Sequence, residues 1–272
     1  MRKLRNRLRQ SSVIGLLASA GLLVLLLAMV PERVLDFFNV PGLLTVVGGT
    51  IAATLISRPF SEVRRVFRRL PALLHDDIPG LSRELNSLVI IADHYRHGHL
   101  RAAEDEVARI DHDFLRTGVQ LVLDRSALPD LMKVLQWRTE AYRQQENTDA
   151  QVLRSMAAFA PAFGMLGTLF GLVQMLHALG GSNLTEIGVA MGFALMTTLY
   201  GIVFAYMFLK PLAMKIERRT QKMLAHLAVL QEGVLMLYER QHPTLIRETL
   251  SSFLAQHQGV LDQRKPSLLR AA

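Results

Sequence analysis

Residues 160–176 read APAFGMLGTLFGLVQML, and residues 190–209 read AMGFALMTTLYGIVFAYMFL. They lie in two apolar segments, residues 156–180 and 187–209, that contain no Asp, Glu, Lys or Arg. An apolar stretch of about 20 residues is long enough to cross a bilayer as a helix. The two stretches therefore predict two membrane spans, which follow one another closely in the chain.

Two more apolar stretches lie near the N-terminus. Residues 13–30 read VIGLLASAGLLVLLLAMV and follow a run of basic residues. A cleaved signal peptide is the alternative, but its apolar part is usually only ~7–15 residues long. Residues 40–57 read VPGLLTVVGGTIAATLIS, and their small side chains favour a span packed against other helices. We therefore expect four spans.

Clustered cations indicate the orientation of these spans. Four crossings place the N-terminus, the segment after span two and the segment after span four on one side of the membrane. Their cations are Arg2, Lys3, Arg5, Arg7, Arg9, Arg58, Arg64, Arg65, Arg68, Arg69, Lys210, Lys215, Arg218 and Arg219. Because short cytoplasmic flanks are enriched in Lys and Arg, both termini are predicted to be cytoplasmic.

The composition agrees with a membrane protein that has basic flanks. The 272 residues carry a formal net charge of +8, and half of them are hydrophobic, with a mean hydropathy of +0.25. Such a chain is too apolar to be disordered. We interpret the basic excess as a topology signal and a contact for anionic lipid, in preference to nucleic-acid binding. The lack of cysteine excludes disulfides and thiolate chemistry.

The fold class expected is an all-α integral membrane protein. Apolar residues at helical spacing predict cytoplasmic helices over residues 81–98, 99–114, 127–146 and 215–238, with a break at Pro243. The third of these could lead through residues 151–154 straight into span three. The predicted organisation is an N-terminal pair of spans (1–57), a cytoplasmic helical domain (58–154), the second pair of spans (155–210) and a cytoplasmic helical tail (211–272).

No enzyme motif is present: the sequence lacks a phosphate-binding loop, HExxH and GxSxG. His94, His97, His99 and His112 could place imidazoles on one helical face, but no Cys or carboxylate completes a metal-ligand pattern. We therefore expect no catalytic residues, no bound metal and no cofactor.

Small and hydroxyl-bearing residues mark the last two spans. Gly164, Gly167 and Gly171 recur on one helical face, as do Ala194 and Gly201 in span four, and small residues allow helices to approach closely.

Three hydroxyls accompany them, on Thr168, Thr197 and Thr198. Each hydroxyl can bond to its own helix or accept a cation. No Asp, Glu, Lys or Arg lies in the four predicted spans, so an ion-conducting chain of this kind would need a partner to supply the acid. Pro161 and Pro211 remove backbone donors at the ends of the spans and could form hinges or ordinary helix boundaries.

Several of these stretches resemble one family. The resemblance lies in the two stretches quoted first, the continuation KPLAMKIERR, the segment PGLLTVVGGTIAATLIS and the tail pieces EGVL and HPTLIRETLSSFL. In these stretches the chain resembles the flagellar stator A-subunits, MotA and PomA, of the MotA/TolQ/ExbB superfamily. The resemblance implies an ion-channel subunit of the bacterial cytoplasmic (inner) membrane, in a ring of five copies around two single-span B-subunits (MotB/PomB-like). The B-subunit Asp would carry H⁺ or Na⁺, and ion flow would turn a FliG-like rotor switch-complex protein.

The resemblance also assigns residues. Arg96 and Glu104 in RHGHLRAAE match the charged pair that meets the rotor, with His97 beside them where Lys or Gly is usual. Pro161 and Pro211 match the coupling prolines, and the three threonines match pore-facing hydroxyls. Residues 155–159 lack the acid that often precedes the span-three proline. The alternative is a TolQ/ExbB-like energising channel for a non-flagellar process, although those proteins typically have three spans.

Overall fold

The computed structural model describes residues 21, 39–73, 81–180 and 184–263. Regular secondary structure in these residues is entirely helical, which confirms the predicted fold class. The helices are α1 (Val40–Ser57), α2 (Phe60–Leu73), α3 (Leu81–Arg96), α4 (Leu100–Ala108), α5 (Asp113–Leu123), α6 (Leu128–Gly180), α7 (Leu184–Val203), a π-helical segment (Phe204–Leu209), α8 (Lys210–Tyr238) and α9 (Pro243–Gln263).

The chain divides into two compact units. Unit 1 comprises residues 1–76 and 145–219, and unit 2 comprises residues 77–144 and 220–272. The long helices α6 and α8 contribute residues to both units.

Unit 1 contains the apolar helices. Within the described residues three helical stretches are long and apolar enough to cross a membrane, and they lie in α1, in α6 and in the continuous run from α7 to α8. They correspond to predicted spans two, three and four, and α1 has the same bounds as the second apolar stretch. Apart from residue 21, the first predicted span, residues 13–30, lies outside the described residues.

The core of unit 1 lies where α2 packs against α6 and the start of α8. Val63 and Val66 of α2 are buried in one apolar cluster with residues of the other two helices. Their buried partners include Val152, Leu153, Met156, Ala213 and Ile216. Helix α2 is amphipathic, and this packing gives its apolar side a partner.

Unit 2 has its own apolar core, formed by α3, α4, α5, α8, α9 and the start of α6. Fully buried side chains from these helices meet in one cluster, which includes Leu88, Ile91, Leu115, Leu131, Leu135, Leu230, Leu237, Ile246 and Leu250. Gly98 ends the helix before α4 as predicted, because it adopts a φ of +78° that lets the His99 amide donate to the His94 carbonyl.

The single helix predicted over residues 99–114 is wrong, because the chain breaks between α4 and α5. His112 is extended there, and the Arg116 guanidinium donates to the Ile110 carbonyl at 2.6 and 3.1 Å. This bond satisfies a carbonyl that a continuous helix would have used itself.

Both prolines lie in continuous helix, so the interpretation of ordinary helix boundaries is wrong. Pro161 is inside α6, and Pro211 is the second residue of α8. The tail helix, expected from residue 215, instead continues span four directly through the π-helical segment. The predicted break at Pro243 is confirmed, since α8 ends at Tyr238 and α9 begins at Pro243.

Candidate functional site

Glycines bring α6 and α7 into backbone contact in unit 1. A Cβ on Gly164 would lie 2.9 Å from the Thr197 carbonyl oxygen, and one on Gly171 would lie 2.7 Å from the Ala194 Cβ. Real Cβ atoms do not approach other atoms so closely, so only glycine allows this helix separation. Gly201 lies equally close to α6. The structure therefore brings together all the small residues that the sequence predicts for helix packing, including Gly167.

The three threonines of the candidate ion path differ in their bonding. Thr197 is buried, contacts Gly167 and donates to the Ala194 carbonyl at 2.9 Å. Thr168 is partly exposed and donates to the Met165 carbonyl at 2.6 Å. These two hydroxyls follow the pattern of bonds within their own helix, one turn back.

Thr198 is the exception. Its Oγ1 is inaccessible to solvent and has no hydrogen-bond partner in the part of the chain that the structure describes. Its Cα lies beside Gly164, where a Cβ would approach to 3.3 Å. Buried polar atoms are normally satisfied, so an unpartnered hydroxyl calls for a physical reason. Its proton and its lone pairs therefore form no hydrogen bond with these residues, which also enclose the oxygen.

Helix α1 also packs against α7. The Asn39 amide donates to the Tyr200 hydroxyl at 2.8 Å, and a Cβ on Gly42 would lie 3.2 Å from the Thr197 Cγ2. Gly49 lies against the Phe163 ring of α6. Small residues in the second span thus contact α6 and α7, as the sequence predicts for a packed span.

The two prolines differ in their surroundings. Pro161 removes a donor from the interior of α6 at the point where Gly201 of α7 packs on it. Pro211 lies one residue beyond the end of the π-helical segment, after Lys210. A π segment is a local irregularity that is frequent at functional sites, and none was predicted.

Buried acids lie before span three, and the sequence interpretation missed their pairing. The Asp149 carboxylate accepts from Arg65 at 2.8 Å and from Arg69 at 2.6 Å, and Glu146 pairs with Arg69 at 2.9 Å. Burial by itself would lower the pKa of Arg69, but the bonds and charges of Asp149 and Glu146 raise it. The sequence does carry a sign of this cluster. Arg65 and Arg69 are four residues apart and Glu146 and Asp149 are three apart, so each pair shares one helical face.

The candidate rotor residues lie around the α3–α4 turn of unit 2. Arg96 and Glu104 are exposed, and neither forms an ion pair with a residue that the structure describes. His97 is also exposed, and its Nδ1 lies 2.8 Å from the Asp93 carbonyl oxygen. Its ring stacks at 6.3 Å from that of His99. Among the described residues, no group of three or more His, Cys, Asp or Glu could hold a metal ion.

A second buried polar cluster, in unit 2, was not predicted. His226 Nε2 lies 2.9 Å from the buried Glu84 carboxylate, and the His112 ring stacks on His226 at 6.0 Å. Burial lowers the pKa of His112, and the repulsion of His226 acts in the same direction, whereas Glu84 and Asp113 oppose the shift. The His112 Nδ1 has no hydrogen-bond partner among the described residues. Glu84 and His226 are 142 positions apart, so local sequence gave no signal.

His177 is a further residue that the sequence reasoning did not single out. It lies in the apolar stretch of α6, three residues before the helix ends, and its Nδ1 is 2.8 Å from the Val173 carbonyl oxygen. A titratable ring within an apolar stretch is uncommon and could have been found by inspection.

Comparisons with known proteins agree with this architecture. Residues 106–229 match the model of the MotA/TolQ/ExbB proton channel family. The chain is 31% identical to Motility protein A of Treponema pallidum over 218 residues, which cover 80% of this chain and 83% of that protein. It is 29% identical to Chemotaxis protein PomA of Vibrio alginolyticus over 260 residues, covering 93% and 98%. The flagellar MotAB stator complex of Bacillus subtilis contains a chain that matches with a TM-score of 0.81 at 25% identity, covering 92% of this chain and 98% of that one.

Proposed function

The chain belongs to the motility protein A group of the MotA/TolQ/ExbB proton channel family, and on that basis we propose that it is the ion-channel A-subunit of a flagellar stator. It couples the flow of H⁺ or Na⁺ down a gradient to rotation of a ring, and the ring delivers torque to the flagellum. The observation that carries this proposal is the α6–α7 pair, which is packed through Gly, Ala and Thr within spans free of Asp, Glu, Lys and Arg.

The lack of intramembrane acid supports a division of labour with a B-subunit. A conducting path needs a group that binds and releases the ion within the membrane, and such groups are usually ionisable. A single-span MotB/PomB-like partner would supply this group as an Asp. The A-subunit would contribute hydroxyl oxygen, foremost the unpartnered Thr198 hydroxyl. We assign Thr168 and Thr197 as secondary contributors, because their oxygens keep lone pairs after donating their protons.

Exposed apolar side chains on the spans support assembly into a ring. Helix α6 exposes a band that no described residue covers, which includes Met165, Leu169, Phe170, Val173 and Leu176. Contiguous apolar surface of this kind faces lipid or other subunits in a membrane protein. We propose five copies around two B-subunits.

The two prolines would transmit the ion-driven movement. A proline in a helix removes one hydrogen bond and provides a point of bending. Pro161 lies beside the α7 backbone, and Pro211 adjoins the π-helical segment. We assign both as coupling residues between the spans and the helices that extend from them.

The rotor contact is assigned to Arg96 and Glu104, with His97 beside them. Both charges are exposed and free of ion pairs within the described residues, so they are available to charges on a FliG-like protein. This assignment requires the basic flanks and both termini to face the cytoplasm, the side on which the positive-inside rule places them.

The experiment is complementation of a stator-deleted strain with this chain and the single-span protein encoded beside it. Tethered-cell rotation is measured with and without Na⁺, and membrane assembly is measured in parallel. Rotation that requires Na⁺ identifies a Na⁺-driven stator, and rotation in both buffers identifies an H⁺-driven one. An assembled complex that turns no flagellum in either buffer contradicts the proposal and favours the TolQ/ExbB-like energiser.

A further inference from the structure

One side of α2 carries two aromatic and two cationic side chains. Phe60, Arg64, Phe67 and Arg68 follow a helical spacing, so they share one side of the helix. Phe60 is 67% exposed and Phe67 is 43% exposed, and both arginines are exposed. We call these four residues the outer face of α2. Large exposed aromatic side chains grouped in this way indicate an interaction surface.

The opposite side of α2 is already occupied. Val63 and Val66 are buried in the core of unit 1, and Arg65 and Arg69 are bound to Asp149. By contrast, Arg64 and Arg68 form no ion pair with any residue that the structure describes. Two of these four arginines are therefore neutralised within the chain, whereas the two on the outer face keep their full charge available.

The position of α2 relative to the apolar helices suggests what this charge meets. Helix α2 begins three residues after Ser57, the last residue of α1. Its buried side packs on Leu153 and Ile216, which flank the predicted third and fourth spans. Within unit 1, α2 thus lies at the edge of the apolar helices, where the headgroups of a membrane would be.

We propose that the outer face of α2 binds the headgroups of anionic phospholipids. The two phenyl rings would enter the boundary between headgroups and acyl chains, where amphipathic helices bury their apolar side. The two guanidinium groups would bind lipid phosphates through paired N–H donors. Anionic lipid is favoured over a second copy of the chain, because a face with two unpaired cations attracts a negative surface. The proposal needs only that α1 crosses a membrane, so it can fail or succeed independently of the stator function.

The test uses the full-length chain, purified in detergent and supplied with equal amounts of phosphatidylglycerol and phosphatidylcholine. Native mass spectrometry counts the lipids that each chain retains. We expect the wild type to prefer phosphatidylglycerol, and the Arg64→Gln/Arg68→Gln variant to bind it about 30-fold more weakly. Arg64→Lys/Arg68→Lys keeps both charges but loses the paired N–H donors, so it should restore part of the binding.

The matched control is Arg101→Gln/Arg247→Gln, which removes two exposed arginines from unit 2. This variant should retain phosphatidylglycerol as the wild type does. Equal retention by Arg64→Gln/Arg68→Gln would overturn the proposal. The proposal would also be overturned if the variant lost copies of the chain from the assembly while each remaining chain kept the same number of lipids. That result would make the outer face a contact between copies.

Discussion

Gly201 packs directly on the backbone beside Pro161, so closely that a Cβ on Gly201 would lie 3.2 Å from the Pro161 Cα and 2.7 Å from the Ala160 carbonyl oxygen. The proline interrupts the hydrogen bonding of α6 at one of the points where the backbones of α6 and α7 are in contact. A bend at Pro161 therefore cannot occur without moving α7, which links the geometry of the two helices.

Gly201→Ala should destabilise the α6–α7 pair. The added methyl group meets backbone, which cannot rotate away, and overpacking of this kind costs about 1–3 kcal/mol. Gly192→Ala is the matched control on the same helix, because a Cβ there meets nothing within 4 Å. Thermal unfolding of the full-length chain in detergent measures both. Equal melting temperatures for the two variants would contradict the close approach of the helices.

The unpartnered hydroxyl of Thr198 predicts that the two adjacent threonines differ in function. Thr198→Val keeps the side-chain shape but removes the oxygen, so ion flux through the assembled complex should fall by roughly tenfold. Thr197→Val removes a hydroxyl already bonded to its own helix, so the flux of this variant should fall by less than that of Thr198→Val. Flux into vesicles that contain the complex is the measurement. Equal losses of ion flux in both variants would show that the Thr198 hydroxyl contributes no more to conduction than the Thr197 hydroxyl.

Much of this architecture could be predicted from local sequence. Uninterrupted hydropathy located α1 to the residue, and the left-handed conformation of Gly98 ended α3 where the sequence indicated. Small residues at helical spacing identified the α6–α7 interface, because close packing tolerates nothing larger.

The failures share a physical cause, since each depends on atoms that lie far apart in the chain or on detailed hydrogen bonding. The α4–α5 break rests on the Arg116 bond to Ile110, which composition does not predict. The pairing of Arg65 with Asp149 joins residues 84 positions apart. The three threonines look equivalent in sequence, and only the fold leaves Thr198 without a partner.

Asp149→Asn should destabilise unit 1 more than an ordinary charge removal does. Asp149 is buried and pairs with Arg65 and Arg69, whose side chains are 35% and 40% exposed, so the expected loss is about 1–3 kcal/mol, between those of exposed and fully buried pairs. Glu140→Gln is the control, because Glu140 is an exposed acid with a 3.8 Å contact to Arg143, and exposed pairs contribute about 0–1 kcal/mol. Denaturant unfolding in detergent compares the two variants. A loss of unfolding free energy for Asp149→Asn no larger than that for Glu140→Gln would show that water screens this cluster.

Burial of His112 predicts a pH dependence of unfolding. Burial lowers the pKa of His112 below its ordinary value of 6.5, with Glu84, His226 and Asp113 as the charged or titratable groups acting on it. The unfolded chain therefore binds a proton that the folded chain resists. The contribution of His112 to the free energy of unfolding is therefore complete above pH 6.5 and is lost as the pH falls below that value.

His112→Phe should weaken the pH dependence of unfolding, because the phenyl ring can still stack on His226 but does not titrate. His226 and Glu84 are unchanged in the variant, so the difference between the two curves isolates His112. Thermal unfolding of both proteins over roughly pH 5 to 8 is the measurement. Parallel curves would show that His112 does not titrate in the transition.

Charge reversal at the α3–α4 turn should separate coupling from conduction. Arg96→Glu and Glu104→Lys alter exposed side chains that form no ion pair among the described residues, so folding and ion flux should stay near wild type while rotation weakens. Asp105→Lys makes the same charge change on a different side of α4 and should leave more rotation than Glu104→Lys. Tethered-cell speed and vesicle flux are measured together.

A loss of flux in Glu104→Lys would place this residue in the conducting machinery. An equal loss of rotation in Asp105→Lys would show that the effect comes from general electrostatics. Restoration of rotation by an opposite charge reversal in the rotor protein would establish a direct contact, because only paired charges compensate one another.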